Sequence, residues 1–310
     1  MAETKQYIFF DFEMLCSNRG MSFEEMEGIR LGAVKYDLKT KEVTYFDQYI
    51  RPCNPRPLSS FCKKLTGIKD EELQGAETFK IVFEEFLSWV RGIKKSRFFS
   101  WSTSDLTRLK LDAKRHEVPI TTIKKIEMRY IDFQAIFTKR VSKNNPSVEN
   151  ALEFYGLSFI GEKHNPMYDS YNTLRIYLNF LNLPFQTDII MLKQFIFDEV
   201  PPVKEINNLL NQEFQKDINE FTLDLKEIYR MKDAGKIIKR TRRMVEKYEN
   251  ILINRSGIFS KENVWDVGCL VEFYHELLFT FEEHSFYSSK VMILDEHILH
   301  PIHRLYYKEG

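Results

Sequence analysis

Cysteine is scarce in this chain, four residues among 310, and none of Cys16, Cys53, Cys62 and Cys269 forms a Cys-x-x-Cys pair. Their spacing offers neither a paired-thiol metal ribbon nor a disulfide framework, so a reducing cytoplasm is the expected compartment. Net charge is missing as well, since 45 Lys and Arg balance 45 Asp and Glu. No global field draws a polyanion, and any attraction for nucleic acid has to be local. A membrane-spanning helix needs an apolar run of about 18 residues. The first apolar stretch is cut short by Asp11, and no other run reaches that length. Neither a signal segment nor a membrane partner is therefore expected. No internal repeat or low-complexity tract is apparent. What the chain does hold is apolar mass, 43% hydrophobic and 14% aromatic residues, enough for a true core in a catalytic domain with an appendage.

Two acids stand in an unexpected place, on the first apolar strand Tyr7-Ile8-Phe9-Phe10-Asp11-Phe12-Glu13. Strand side chains alternate faces, so Asp11 and Glu13 point the same way, about 7 Å apart along the chain. Side by side on an apolar element, two anions call for a cation. Carboxylate oxygens suit Mg²⁺ or Mn²⁺ rather than zinc. The plainer alternative is a strand whose polar face meets water.

Two further stations lie downstream. Phe98-Phe99-Ser100-Trp101-Ser102-Thr103-Ser104-Asp105 reads as a short strand running into a capped helix, with Asp105 in its first turn. In His164-Asn165-Pro166-Met167-Tyr168-Asp169, Pro166 sits where a helix can begin, and Tyr171, Leu174, Tyr177, Leu178 and Leu181 follow at helical spacing. Asp169 thus falls near a helix start, with His164 in the preceding loop. Around these stations the pattern predicts strands over 6–12, 29–37, 43–50 and 97–101, a last strand at 129–132, and helices over 59–65, 79–90, onward from Asp105 through Arg115, 147–155 and 168–181. Asp132 is expected to cap a helix rather than bind metal.

An Asp-x-Glu strand, a later Asp at a helix start and a His-x4-Asp leading into a helix resemble the DEDD 3′-to-5′ exonucleases, in their His-containing branch. The segment from Asn54 to Ile68 and Asp11-Phe12-Glu13-Met14-Leu15-Cys16 are similar to the ERI exoribonuclease and KapD subgroup. The matches run over about residues 5 to 182. Between the third-station His and Asp, Asn165 to Tyr168 replace small, charged residues, and Ser170 stands where many relatives carry an acid. The resemblance implies an α/β, ribonuclease-H-like mixed sheet flanked by helices, which agrees with the element order read above. It also implies two Mg²⁺ or Mn²⁺ ions held by Asp11, Glu13, Asp105 and Asp169, with His164 taking the proton of the attacking water. Met14, Leu15 and Phe61 would meet the substrate terminus. The expected activity is removal of nucleoside 5′-monophosphates from the 3′ end of single-stranded nucleic acid, with RNA favoured over DNA. A DNA-directed exonuclease and a catalytically silent nucleic-acid-binding protein are the alternatives.

The exonuclease domain is expected over 1–184, and the resemblance stops there. Residues 185–310 read as a mainly α-helical extension, with helical spacing across Phe221 to Ile253 and Val264 to Phe281 and a break at Pro201-Pro202. From Lys226 to Lys247, nine Lys or Arg stand against three acids, an excess of six. Lys239, Arg240, Arg242 and Arg243 are candidate nucleic-acid contacts there, the alternative being a solvated helix face. His297, His300 and His303 lie three apart, but Pro301 is expected to disrupt a regular helix and no Cys is near, so scattered histidines are expected rather than a zinc site.

Overall fold

The computed structural model describes residues 3–306, which divide into two compact units. The first holds residues up to 139 and 144–182; the second holds 140–143 and those from 183 onward.

In the first unit, β1 (Gln6–Met14), β2 (Gly28–Asp37) and β3 (Val43–Arg51) form an antiparallel meander, followed by α1 (Ser60–Thr66) and α2 (Asp70–Gln74). Then come β4 (Glu77–Thr78), α3 (Phe79–Val90), β5 (Ser96–Ser100), α4 (Thr103–Arg115), α5 (Ile120–Glu127), β6 (Tyr130–Asp132), α6 (Phe133–Phe137), α7 (Val148–Phe154) and α8 (Pro166–Asn182). The sheet order is β4-β3-β2-β1-β5-β6, with β5 parallel to β1 and β6 parallel to β5. It is the mixed sheet flanked by helices that the element order implied. The short α2, α5 and β4 escape a periodicity reading because each is too brief to show a period.

Both faces of β1 are covered. Ile8, Phe10 and Phe12 join Phe79, Val82, Phe83 and Phe86 of α3 and Leu109 of α4 in one core. On the other face Phe9 stacks on Phe99 at 4.7 Å, and Tyr177 of α8 closes on Phe99 at 4.8 Å. Phe9 and Phe99 are almost fully buried, each contributing roughly 2–3 kcal/mol of burial. Asp132 caps α6 by accepting from Ala135 N at 3.0 Å.

The second unit comprises α9 (Pro184–Phe195), α10 (Ile206–Thr222), β7 (Ile228–Arg230), α11 (Met231–Tyr248), α12 (Lys261–Phe286), β8 (Val291–Ile293) and α13 (Glu296–Tyr306). Ile206, Leu210, Phe214, Ile218 and Phe221 line one side of α10, at the spacing that points side chains into one core. Two expectations need correction. Phe221 to Ile253 is not one helical stretch: β7 interrupts it and pairs antiparallel with β8, a partner some sixty residues on that local periodicity cannot announce. Pro301 lies inside α13 rather than ending it. The proline forgoes one backbone bond, while buried Ile298, Leu299, Ile302 and Leu305 hold the helix to the core. On that helix His303 faces Glu296 at 3.3 Å, and His297 stands 3.9 Å from Glu276 of α12. No helix among the described residues is long and apolar enough to cross a membrane.

Candidate active site

The end of β1 builds the site. Its parallel pairing with β5 stops at Phe9, whereas its antiparallel pairing with β2 continues through Met14. Beyond Phe9 one edge of the strand is therefore open. Asp105, in the first turn of α4 behind the Ser102 cap, fills that edge by accepting from Phe12 N at 3.1 Å. Strand alternation places Asp11 and Glu13 on the face shared with Phe9 and α8.

Asp169 arrives from α8, and a glycine admits it. Gly32 is the β2 partner of Asp11. A Cβ there would lie 2.0 Å from Met167 N and 2.2 Å from the Pro166 carbonyl carbon, so the first turn of α8 rests directly on the bare strand backbone. Ser170 secures the contact by donating to Gly32 O at 3.2 Å. Ser170 is thus buried and committed to docking the helix. One carboxylate oxygen from each of Asp11, Glu13 and Asp169 consequently lies within 4.8 Å of the others, and the Asp105 carboxyl is near enough to raise Asp11 by its charge.

These acids line a cleft of about 240 Å³ together with Met14, Ser100, Ser104 and His164. His164 is exposed at its rim, in a left-handed backbone conformation (φ 59°), and its backbone N–H favours the charged form of the Asp169 carboxyl. The neighbouring Lys163 pairs with Glu149 at 3.2 Å. Of the expected substrate contacts, Met14 borders the cleft. Leu15 does not: it packs with Ile29, Leu58, Cys62, Ile68 and Leu73 in a small separate core. Its apolar side chain gains more from that burial than from a wet cleft wall. Phe61 is 43% exposed in the first turn of α1, outside the cleft lining.

Crowded acids resist ionisation, and the physical causes are explicit. Burial first, then the charges of Asp105, Asp169 and Glu13, hold Asp11 well above the usual carboxylate range. Burial and next Asp169 push Glu13 up to about 8, with Arg30 opposing. Burial raises Asp105 to about 7 against the Phe12 N–H, and burial followed by Glu149 raises Asp169 to about 7. A divalent cation would relieve this repulsion. Opposite oxygens around one Mg²⁺ stand about 4.2 Å apart, close to the span of the three carboxylates, and the all-oxygen donor set fits a hard ion. The donors present therefore fit the metal that the sequence pattern implied.

Comparison with known proteins bears on this geometry. The family model described as exonuclease, RNase_T, matches residues 8–177. The chain belongs to this exonuclease family. Members of its His-containing branch depend on divalent metal. Human ERI1 exoribonuclease 2 is 27% identical over 189 residues, covering 54% of this chain and 27% of that protein. The 3′-5′ exonuclease crn-4 of Caenorhabditis elegans is 27% identical over 192 residues, covering 57% of this chain and 63% of that protein. The chain thus spans less than two thirds of these relatives. The crystal structure of CRN-4 matches with a TM-score of 0.51 at 25% identity, over 58% of this chain and 64% of that one. The nuclease domain of 3′hExo, described as a DEDDh family member bound to rAMP, matches in fold with a TM-score of 0.54 at 23% identity, over 60% of this chain and 97% of that one.

Several supporting residues are invisible to pattern reading. Arg30, across the ladder from Glu13, grips Asp47 through two bonds of 2.7 and 2.8 Å. Arg108 and Asp112 form a fully buried pair at 2.9 Å on the inward side of α4. Their i,i+4 spacing in sequence reads as a surface pair, and only the packing shows otherwise. In the second unit, Arg240 pairs with Asp224 at 2.9 Å and Arg242 with Glu246 at 2.8 Å. Lys239 and Arg243 are exposed, without an ion pair among the described residues.

Proposed function

We propose that this chain is a 3′-to-5′ exonuclease acting on single-stranded RNA and releasing nucleoside 5′-monophosphates. The observation that carries the reading is the convergence of Asp11, Glu13, Asp105 and Asp169 on one cleft, in a state of mutual repulsion that divalent metal would relieve. Two Mg²⁺ or Mn²⁺ ions held by these four residues would activate the attacking water and offset charge on the leaving 3′ oxygen. His164, on the rim, accepts the water's proton. Asp105, tied to the β1 backbone, and Asp169, tied through α8 to β2, keep the acids from drifting as charge redistributes. Met14 flanks the terminal base.

The RNA reading draws support from the exoribonuclease relatives. Matched RNA and DNA single strands with a 3′ label, incubated with Mg²⁺ or Mn²⁺, test it: mononucleotide release should be faster from RNA. Equal or faster release from DNA would overturn the RNA preference, and cleavage away from the 3′ end would overturn the exonuclease reading itself.

A further inference from the structure

Away from the acid cleft, three chain segments bring a carboxylate, a thiol and an imidazole together. Glu27 immediately precedes β2, Cys53 lies in the loop after β3, and His116 caps the C-terminus of α4. Their donor atoms all lie within 4.8 Å of one another. Cys53 Sγ and His116 Nε2 are 3.6 Å apart. Around a tetrahedral zinc ion, with metal–sulfur near 2.3 Å and metal–nitrogen near 2.05 Å, those two atoms would stand about 3.5 Å apart. The thiol and imidazole are already at the separation one ion requires.

The surroundings fix this arrangement. Glu27 is buried and accepts from Cys53 N at 2.7 Å and Asn54 N at 3.0 Å, one bond on each carboxylate oxygen. Each oxygen retains a lone pair for a further partner, and the two N–H bonds orient the carboxylate as supporting contacts do around metal ligands. Packing of the His116 ring against Phe79 at 5.4 Å sets its plane. Arg115 is the competing cation, but it lies nearer Asp112, at 3.0 Å, than Glu27, at 3.7 Å. Cys53 is exposed, leaving one side open to water.

We propose that Glu27, Cys53 and His116 form a second metal site, selective for zinc-type divalent ions, with water in the fourth position. Mixed sulfur, nitrogen and oxygen donors favour Zn²⁺ over the hard ions suited to the acid cleft. On binding, the Cys53 S–H bond breaks, its proton passes to solvent and a metal–sulfur bond forms, with no change of oxidation state. The ion ties the end of α4, whose first turn carries Asp105, to the entry of β2 and the exit of β3. The site stands independently of the exonuclease reading, and its readouts need no nuclease activity.

Cobalt titration of the whole 310-residue chain tests this, because a cobalt–thiolate bond gives a strong near-ultraviolet charge-transfer band that carboxylate ligands cannot give. The band should appear in the wild type and in Cys16→Ser, vanish in Cys53→Ser and weaken in His116→Gln, with all variants checked for folding by circular dichroism. Zn²⁺ should displace it and, at 100 times Kd, slow alkylation of Cys53 about 100-fold. No band in the wild type, a band that survives Cys53→Ser, or alkylation unaffected by Zn²⁺ would each overturn the site.

Discussion

Replacing Gly32 with alanine perturbs the site without touching an acid. The new Cβ would sit 2.0, 2.2 and 2.6 Å from backbone atoms of Met167 and Pro166, where ordinary contact begins at 3.4 Å. Relief requires the first turn of α8 to retreat by about 1.4 Å, because backbone, unlike a flexible side chain, cannot swing aside. Asp169 lies in that turn and moves with it, away from Asp11 and Glu13. Misplacement of a catalytic group by about 1 Å costs on the order of 100-fold in rate, so kcat/KM on 3′-labelled single-stranded RNA should fall about 100-fold with the metal requirement shifted to higher concentration. Overpacking of this kind destabilises by about 1–3 kcal/mol, lowering Tm by roughly 5 °C. Gly268→Ala, where nothing lies within 4 Å of the added atom, is the control and should leave activity unchanged. A Gly32→Ala enzyme with wild-type turnover and metal dependence would refute the claim that helix docking on Gly32 sets the geometry of the acids.

Asp11→Ala and Asp169→Ala should abolish mononucleotide release, yet leave metal-free Tm level or higher, because each removes a repelling charge; retention of near wild-type turnover would remove these acids from the metal site. His164→Ala should lose about 10²–10⁴ in kcat with Mg²⁺ affinity nearly unchanged by calorimetry, the signature of a proton acceptor rather than a ligand. In EDTA, stability should fall as pH rises from about 4 through 8: the folded acids are held above their usual range, so the folded state binds more protons than the unfolded chain across that window. Mn²⁺ should reverse the trend, with its largest Tm increase near pH 8, and a flat metal-free profile in calorimetry would contradict the repulsion. Lys239→Glu with Arg243→Glu should reduce the slope of log K against log salt for single-stranded RNA by about 1.4, whereas an unchanged slope would leave α11 as a solvated helix face.

Much of the site could be read directly from residue order. Alternation on β1 placed Asp11 and Glu13 on one face, the Ser102 cap put Asp105 in a first helical turn, and Pro166 marked the start of the helix bearing Asp169. These are local rules, governed by pleat, capping and proline geometry within a few residues. Apolarity alone does not say which of two nearby apolar environments a side chain such as Leu15 will enter. Pro301 misled because a proline's local penalty is outweighed when a buried stripe continues on both sides.

Residue order alone was enough for the positions of the acids, the strand and helix ends that carry them and the mixed-sheet architecture, since each follows from short-range periodicity and end chemistry. How close those ends come depends on long-range packing. Gly32 accepting α8, Asp105 capturing the free Phe12 N–H, the pairing of β7 with β8, and the meeting of Glu27, Cys53 and His116 all join residues distant in sequence. Such contacts depend on close packing between elements, which no window along the chain contains.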